Sequence, residues 1–293
     1  MLKRTKGEII FNYFNIAGLL LLSAIFIIPI WHIAMGSISD PLKLSASSGI
    51  VLLPLGQATL GGYKLVLQNQ SIVRSYGNTL IYVLLATSFG TTITILGAYI
   101  LSRKNLHFRA PIAFFITFTM IFNGGLIPTY MVVRNLGWLN SRWALIIPGA
   151  VTAYNIIIMR TSFAAIPESL TEAAFIDGAG HFRILIQIIL PISKSIIAVV
   201  LLLYGIHHWN AWFNASIYLQ SRALYPLQLT LREIVLLSSE NSIVANADGQ
   251  DVEIYRPLIK YATIMISIIP MMLIYPFFQR HFVTGVMIGS IKG

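Results

Sequence analysis

"EAAFIDGAGHFRILIQIILP", residues 172–191, is the least apolar stretch in the middle of a strongly apolar chain, and its placement decides the fold. Between segments that read as membrane-crossing helices it packs small residues, the acids Glu172 and Asp177, two glycines, His181 and Arg183, and it closes on Leu190-Pro191. Ser169-Leu170-Thr171-Glu172 has the S-x-x-E spacing in which the Ser and Glu side chains reciprocally satisfy orphan N–H groups, so a short helix is predicted to begin near Leu170. Asp177-Gly178 predicts its end, because glycine tolerates the left-handed conformation that stops a helix. A second helical segment is predicted from about His181, with Phe182, Leu185, Ile188 and Ile189 on one apolar face. Pro191 suits the first turn of the next helix.

Composition says what surrounds this hairpin. The chain has 293 residues, 56% hydrophobic and 10% charged, with a mean hydropathy of +0.77. A soluble domain carries about 25% charged residues, so lipid is the expected solvent. With no cysteine, disulfides, thiolate metal sites and Cys nucleophiles are excluded. A crossing helix needs about 20 apolar residues. Six windows meet or approach that length: 14–35, 77–101, 111–133, 143–159, 195–218 and 261–279, none containing Asp, Glu, Lys or Arg. The expected fold is therefore an all-α integral membrane protein with six transmembrane helices and one transmembrane domain over 1–293. Residues 160–194 form the loop between spans four and five, and 36–76 and 219–260 are the long loops on the opposite side. The first window comes after Lys3-Arg4-Lys6 but is too long for a secretory leader and is read as an anchor.

Charge sets the expected orientation. Six spans put both termini on one side, with Lys3, Arg4, Lys6, Arg103, Lys104, Arg109, Arg160, Arg183, Lys194, Arg280 and Lys292, most of them beside span ends. The other nine Lys and Arg are dispersed over long loops, which the positive-inside rule weights less. Both termini and 160–194 are thus predicted to be cytoplasmic. Most of the formal net charge of +10 is this orientation signal, and no basic tract with interleaved aromatics suggests nucleic acid. Ala173 and Ala174 leave the hairpin shallow. On the residues alone, it could receive another protein's groove or rest on lipid headgroups.

Glu172-Ala173-Ala174, then Gly178, then Ile188-x-Leu190-Pro191 resembles the EAA signature of permease subunits in binding-protein-dependent ABC importers. The tail "FVTGVMIGSIKG" (282–293) is similar to that of maltose-transporter-type carbohydrate permeases. "FNGGLIPTYMVV" (122–133), "WALIIPGAVTAYNIIIM" (143–159) and "HHWNAWFNASIYL" (207–219) resemble the branch serving oligo- and polysaccharides, alginate importers included. The resemblance implies a type I importer permease fold with a cytoplasmic coupling helix-turn-helix between spans four and five. Glu172, Ala173, Ala174, Asp177, Gly178 and Ala179 would then dock on an ATPase subunit. It also implies two ATPases that bind ATP and Mg, a related second permease, a periplasmic solute-binding protein and a carbohydrate cargo at the bacterial inner membrane. The cargo stays open between alginate or its oligosaccharides, another sugar, a peptide and phosphate.

The residues agree with a division of labour. No G-x-x-x-x-G-K-[ST] loop is present, so ATP phosphates are not cradled here in that manner, and no catalytic residue or cofactor is expected on this chain. The six windows hold no carboxylate and only three histidines, which argues against an intramembrane enzyme or an ion-coupled carrier. The cargo path should be lined by polar or aromatic residues within spans. Asn123-Gly124-Gly125 would weaken span three and expose backbone to a cavity, or would merely allow close helix packing. Trp209, Asn210 and Trp212, beside His207 and His208, could bind sugar rings or form an interfacial aromatic belt. Tyr154 and Asn155 are further candidates. The His pair has no accompanying carboxylate in its window, so no metal is expected.

Overall fold

The computed structural model describes residues 5–236 and 249–290, with side chains over 5–235 and 255–279. Lys3, Arg4, Lys292 and the polar part of the second long loop, 237–248, lie outside the described residues. No strand occurs among them. The helices are α1 (Lys6–Ser37), α2 (Pro41–Ala46), α3 (Gly61–Gln68), α4 (Gln70–Ser102), α5 (Arg109–Ile121), α6 (Leu126–Asn135), α7 (Trp143–Ile146), α8 (Ala153–Ala164), α9 (Glu168–Ile176), α10 (His181–Ile184), α11 (Leu190–Ile192), α12 (Lys194–Trp209), α13 (Phe213–Tyr218), α14 (Leu227–Leu236) and α15 (Gly249–Ser290). A π turn, Leu185–Ile189, joins α10 to α11.

Three helices are long and apolar enough to cross a bilayer unaided: Lys6–Ser37, Gln70–Ser102 and Tyr255–Gln279. They contain the first, second and sixth predicted windows. The other three windows fall on interrupted helices. Window 111–133 covers α5 and α6, which meet at 111°. Gly125 there adopts φ +83, and Asn123 Oδ1 accepts from Gly125 N at 2.8 Å. Pro128 lies in the first turn of α6, where its missing N–H leaves no helical bond unmade. Window 143–159 is divided by Ile147–Thr152, where Pro148 and Gly149 (φ +77) part α7 from α8. Window 195–218 is divided at Asn210–Trp212 between α12 and α13. The segment His181–Ile192 meets α12 at 85°.

The chain separates into two compact units. One takes the chain up to Gln70 together with Leu231–Ile269. Its α1 opens on a reciprocal Thr5/Glu8 cap and presents apolar side chains outward along most of its length, as a lipid-facing helix does. At the far end of α1, Val51 N donates to His32 Nδ1 at 2.9 Å and Trp31 Nε1 to the Leu52 carbonyl at 2.9 Å, tying the adjoining loop back to the helix. Leu44, Val51 and Leu258 form the core there, with Tyr261 against Gly36.

The second unit takes Ser71–Thr230 together with the chain from Pro270. It has a buried cluster near each end of α4. Towards Gln70, Tyr82 and Ala86 pack with Val133, Ala144, Leu145, Ile146, Ala215 and Tyr218. Towards Ser102, Ala98 and Tyr99 pack with Met159, Phe163, Ala174, Ile184, Leu185, Ile189, Val200 and Tyr204. The second cluster draws the 160–194 hairpin against α4, α8 and α12, which fixes the candidate site.

Candidate functional site

α9 begins earlier than the S-x-x-E spacing predicts. Pro167 is the N-cap residue, with φ −56 and ψ 131. Proline's fixed φ and missing N–H suit a helix start, and Glu168 comes next in the first turn, where a carboxylate complements the helix dipole. Ser169 is therefore inside the helix, and Glu172 is left with no cap to complete. The Thr171 hydroxyl donates back to the Glu168 carbonyl at 2.8 Å.

The end of α9 falls where glycine predicts it. Gly178 adopts φ +76. Its N–H donates to the Phe175 carbonyl at 3.0 Å and the Ala179 N–H to the Ala174 carbonyl at 2.9 Å. These two crossing bonds are the Schellman closure, which satisfies carbonyls that a bare helix end leaves orphaned. Asp177 occupies the C-cap position itself.

This geometry divides α9 into two faces. Thr171 and Ala174 are buried, and Ala179 packs beside them. Glu172, Ala173, Asp177 and Gly178 face outward. Beside them are two apolar side chains that sequence pattern does not assign to the surface: Ile176, 87% exposed, and Phe182, 70% exposed. Phe182 was expected on the buried face with Leu185, Ile188 and Ile189. The π turn turns the chain less per residue than an α-helix does, so Phe182 leaves that face and Ile184 takes its place in the core.

The predicted cargo-path residues lie at or beside the three interruptions. Asn123 and Gly124 are exposed between α5 and α6. Tyr154 and Asn155 open α8, Tyr154 exposed and Asn155 buried, with Asn155 N donating to the Thr152 hydroxyl at 3.4 Å. Trp209 closes α12 at 3% exposure, edge-on to the Tyr76 ring at 5.9 Å. Asn210 is exposed, and its Nδ2 donates to the Ile206 carbonyl at 2.9 Å. Trp212 is half-buried against the cluster at the Gln70 end of α4. The His208 ring is buried beside that of His207. No group of three or more His, Cys, Asp or Glu able to hold a metal occurs among the described residues.

Residues 110–288 match the family described as binding-protein-dependent transport system inner membrane component. The chain belongs to that family. Its members are the non-catalytic membrane permease subunits of ABC transporters. This permease is 37% identical to the polygalacturonan/rhamnogalacturonan transport system permease protein YtcP of Bacillus subtilis, over 94% of this chain and 96% of that one. It is 36% identical to protein LplC of the same organism, over 99% and 97% of the two chains. Among solved structures it is similar to a chain in the crystal structure of a bacterial ABC transporter involved in the import of the acidic polysaccharide alginate. That similarity has a TM-score of 0.85 at 30% identity and covers 96% of this chain and 100% of that chain.

Proposed function

We propose that this permease is one of two related membrane subunits of an ATP-driven importer for an acidic oligo- or polysaccharide, alginate or its oligosaccharides among the candidates. The relatives' names support this cargo class, since polygalacturonan and alginate are both polymers of sugar carboxylates. The sequence supports it independently. No Asp or Glu lies in any of the six predicted spans, so the passage has no fixed negative charge there to repel a polyanion. Six spans with both termini in the cytoplasm belong to this reading.

One observation carries the coupling half of the proposal: α9 is a short helix, closed at Gly178, that turns its small and charged residues and the exposed Ile176 away from its own core, with exposed Phe182 of α10 beside them. An ATPase subunit holding ATP and Mg would seat on that face. Glu172, Ala173, Asp177 and Gly178 would line the contact, with Ala174 and Ala179 packed beneath it. Closure of the ATPase pair would drive the spans from inward-open to outward-open while a periplasmic binding protein delivers its sugar. Along the route, exposed Asn123, Gly124, Tyr154 and Asn210 would meet the cargo, with Trp212 beside them, and buried Trp209 and Asn155 would hold the interruptions in shape.

The test is the assembled complex in proteoliposomes, supplied with binding protein. Galacturonate and alginate oligosaccharides are expected to stimulate ATP hydrolysis and to accumulate inside, and maltodextrins are not. Stimulation by maltodextrins alone would overturn the cargo assignment. Replacing Tyr154 or Asn210 with Ala is expected to raise the sugar concentration needed for half-stimulation.

A further inference from the structure

The 160–194 hairpin is joined covalently to α8 and α12, but its side chains are also fastened to α4. The Tyr99 hydroxyl donates to the His181 carbonyl at 3.1 Å and lies 3.5 Å from His181 Nδ1. The two rings meet edge-on at 6.5 Å. His181 in turn stands edge-on to Phe175, in the last turn of α9, at 4.9 Å. The Arg103 guanidinium lies 4.3 Å from the centre of the Tyr99 ring, within cation–π range. Lys104 Nζ donates to Glu168 Oε2 at 2.6 Å, in the first turn of α9. The Ser102 end of α4 and the residues just after it therefore grip α9 near both of its ends. A short rod held at two points follows its holder.

The same helix makes the tightest backbone approach of any described glycine in the unit. A Cβ built on Gly90 would run into the Ala150 carbonyl oxygen, in the interruption between α7 and α8. One turn further along α4, Thr94 shares a 2.7 Å hydrogen bond with the Tyr204 hydroxyl, which also accepts from Thr152 N at 3.1 Å. α4 thus touches the hairpin at one end and the span-four interruption at mid-length, with continuous helix between.

We propose that α4 is a lever. It takes displacement of α9 through Lys104 at the first turn and, by way of His181, through Tyr99 at the last, with Arg103 bracing the Tyr99 ring, and delivers it to Ile147–Thr152, in parallel with the covalent route through α8 and α12. The three residues are positioning residues for ATP-driven transport, and the inference rests on the reading that an ATPase seats on α9. Each contact alone is modest. Together they link two discrete elements through packed side chains, which is what transmission of force between distant sites requires.

The experiment uses the assembled complex with spin labels at Ser169→Cys and Ile100→Cys, both exposed and outside the proposed docking face, compared nucleotide-free and trapped with ATP and vanadate, so that no cargo is needed. If α4 and α9 move as one body, the label distance is the same in both states, and Tyr99→Ala makes it diverge. A native distance that changes on trapping overturns the lever. In transport, Tyr99→Phe is expected to lower sugar imported per ATP about fivefold, the factor carried by one neutral hydrogen bond, with the amount of assembled complex unchanged. A native ratio in Tyr99→Phe overturns the lever too. Should Tyr99→Ala fail to assemble, Lys104→Glu and Glu168→Lys replace it: each lowers the ratio alone, and the double reversal restores it. Singles at the native ratio, or a double that does not recover, overturn the proposal. A missing cross-link between Ala173→Cys and the ATPase would instead sink the docking reading, whatever Tyr99 does.

Discussion

Towards Gln70, α4 reads backbone. Asn78 Nδ2 donates to the carbonyls of Ala223 and Tyr225, at 2.8 and 3.2 Å, and the Tyr82 hydroxyl to that of Leu224 at 2.7 Å. Thr79 accepts from Leu227 N at 2.7 Å, and the hydroxyls of Ser75 and Thr230 pair at 2.7 Å. Towards Ser102 the same helix meets the hairpin through a single hydroxyl-to-carbonyl bond, Tyr99 to His181, together with ring edges and an exposed ion pair. Hydrogen bonds to buried carbonyls are directional and lose most of their energy with small misalignment. Ring-edge and ionic contacts keep much of theirs over a wider range of angles. One end of α4 is thus a clamp and the other an articulation.

The comparison can be broken most severely between the two ends. Gly90→Ala forces a methyl into the Ala150 carbonyl, backbone against backbone, so neither side can yield cheaply. A cost of about 3 kcal/mol or more is expected, read as loss of folded protein in detergent. At the clamp, Asn78→Leu strands two carbonyls and removes the partner of Arg142 Nη2. It should cost about 2–3 kcal/mol, seen as a lowered Tm, with import per ATP unchanged in the protein that folds. At the articulation, Gly178→Val meets open space but a left-handed backbone. About 1–2 kcal/mol of local strain should abolish import while membrane yield stays near normal.

The smallest effect is expected at Lys104. Its side chain is 72% exposed and that of Glu168 46%, so Lys104→Gln should leave Tm unmoved. The hydrogen bond and charge of Glu168 hold the Lys104 ammonium above the ordinary lysine range. The pair's contribution is therefore fully present at neutral pH and is lost only as pH climbs through that raised value. Import per ATP should be flat across neutral pH as far as this pair is concerned, and a step there would show that another group governs the articulation.

How much of this was legible in the residues alone depended on what each signal measures. Hydropathy found where apolar chain lies but is blind to interruptions, because Pro148-Gly149 and Asn210–Trp212 lower the average very little. The glycines and proline are in plain view; for Asn123-Gly124-Gly125 a weakened helix and close packing are both open readings, and the helix breaks there. Gly178 was legible because one backbone requirement singles out one residue type. The start of α9 was not, since Pro167 and Ser169 both offer local starts and only packing of Thr171 and Ala174 decides between them. By its neighbours in sequence Trp209 suits a cargo contact or a belt, and its burial against Tyr76 depends on a partner 133 positions away. Tyr99 carries no local signal: its meaning lies in His181, and no local pattern joins two residues so far apart in the chain.

The π turn at Leu185–Ile189 sets the phase between the hairpin and α12. A wide turn accommodates one residue more than the α-helical register has room for. Forcing those five residues to ordinary α-helical pitch with none removed would swing everything before them by about 100° around the axis relative to everything after. Ile184 would come out of the core and Phe182 would enter it. The hairpin would then keep its composition, its length and its glycine, yet turn the wrong side outward.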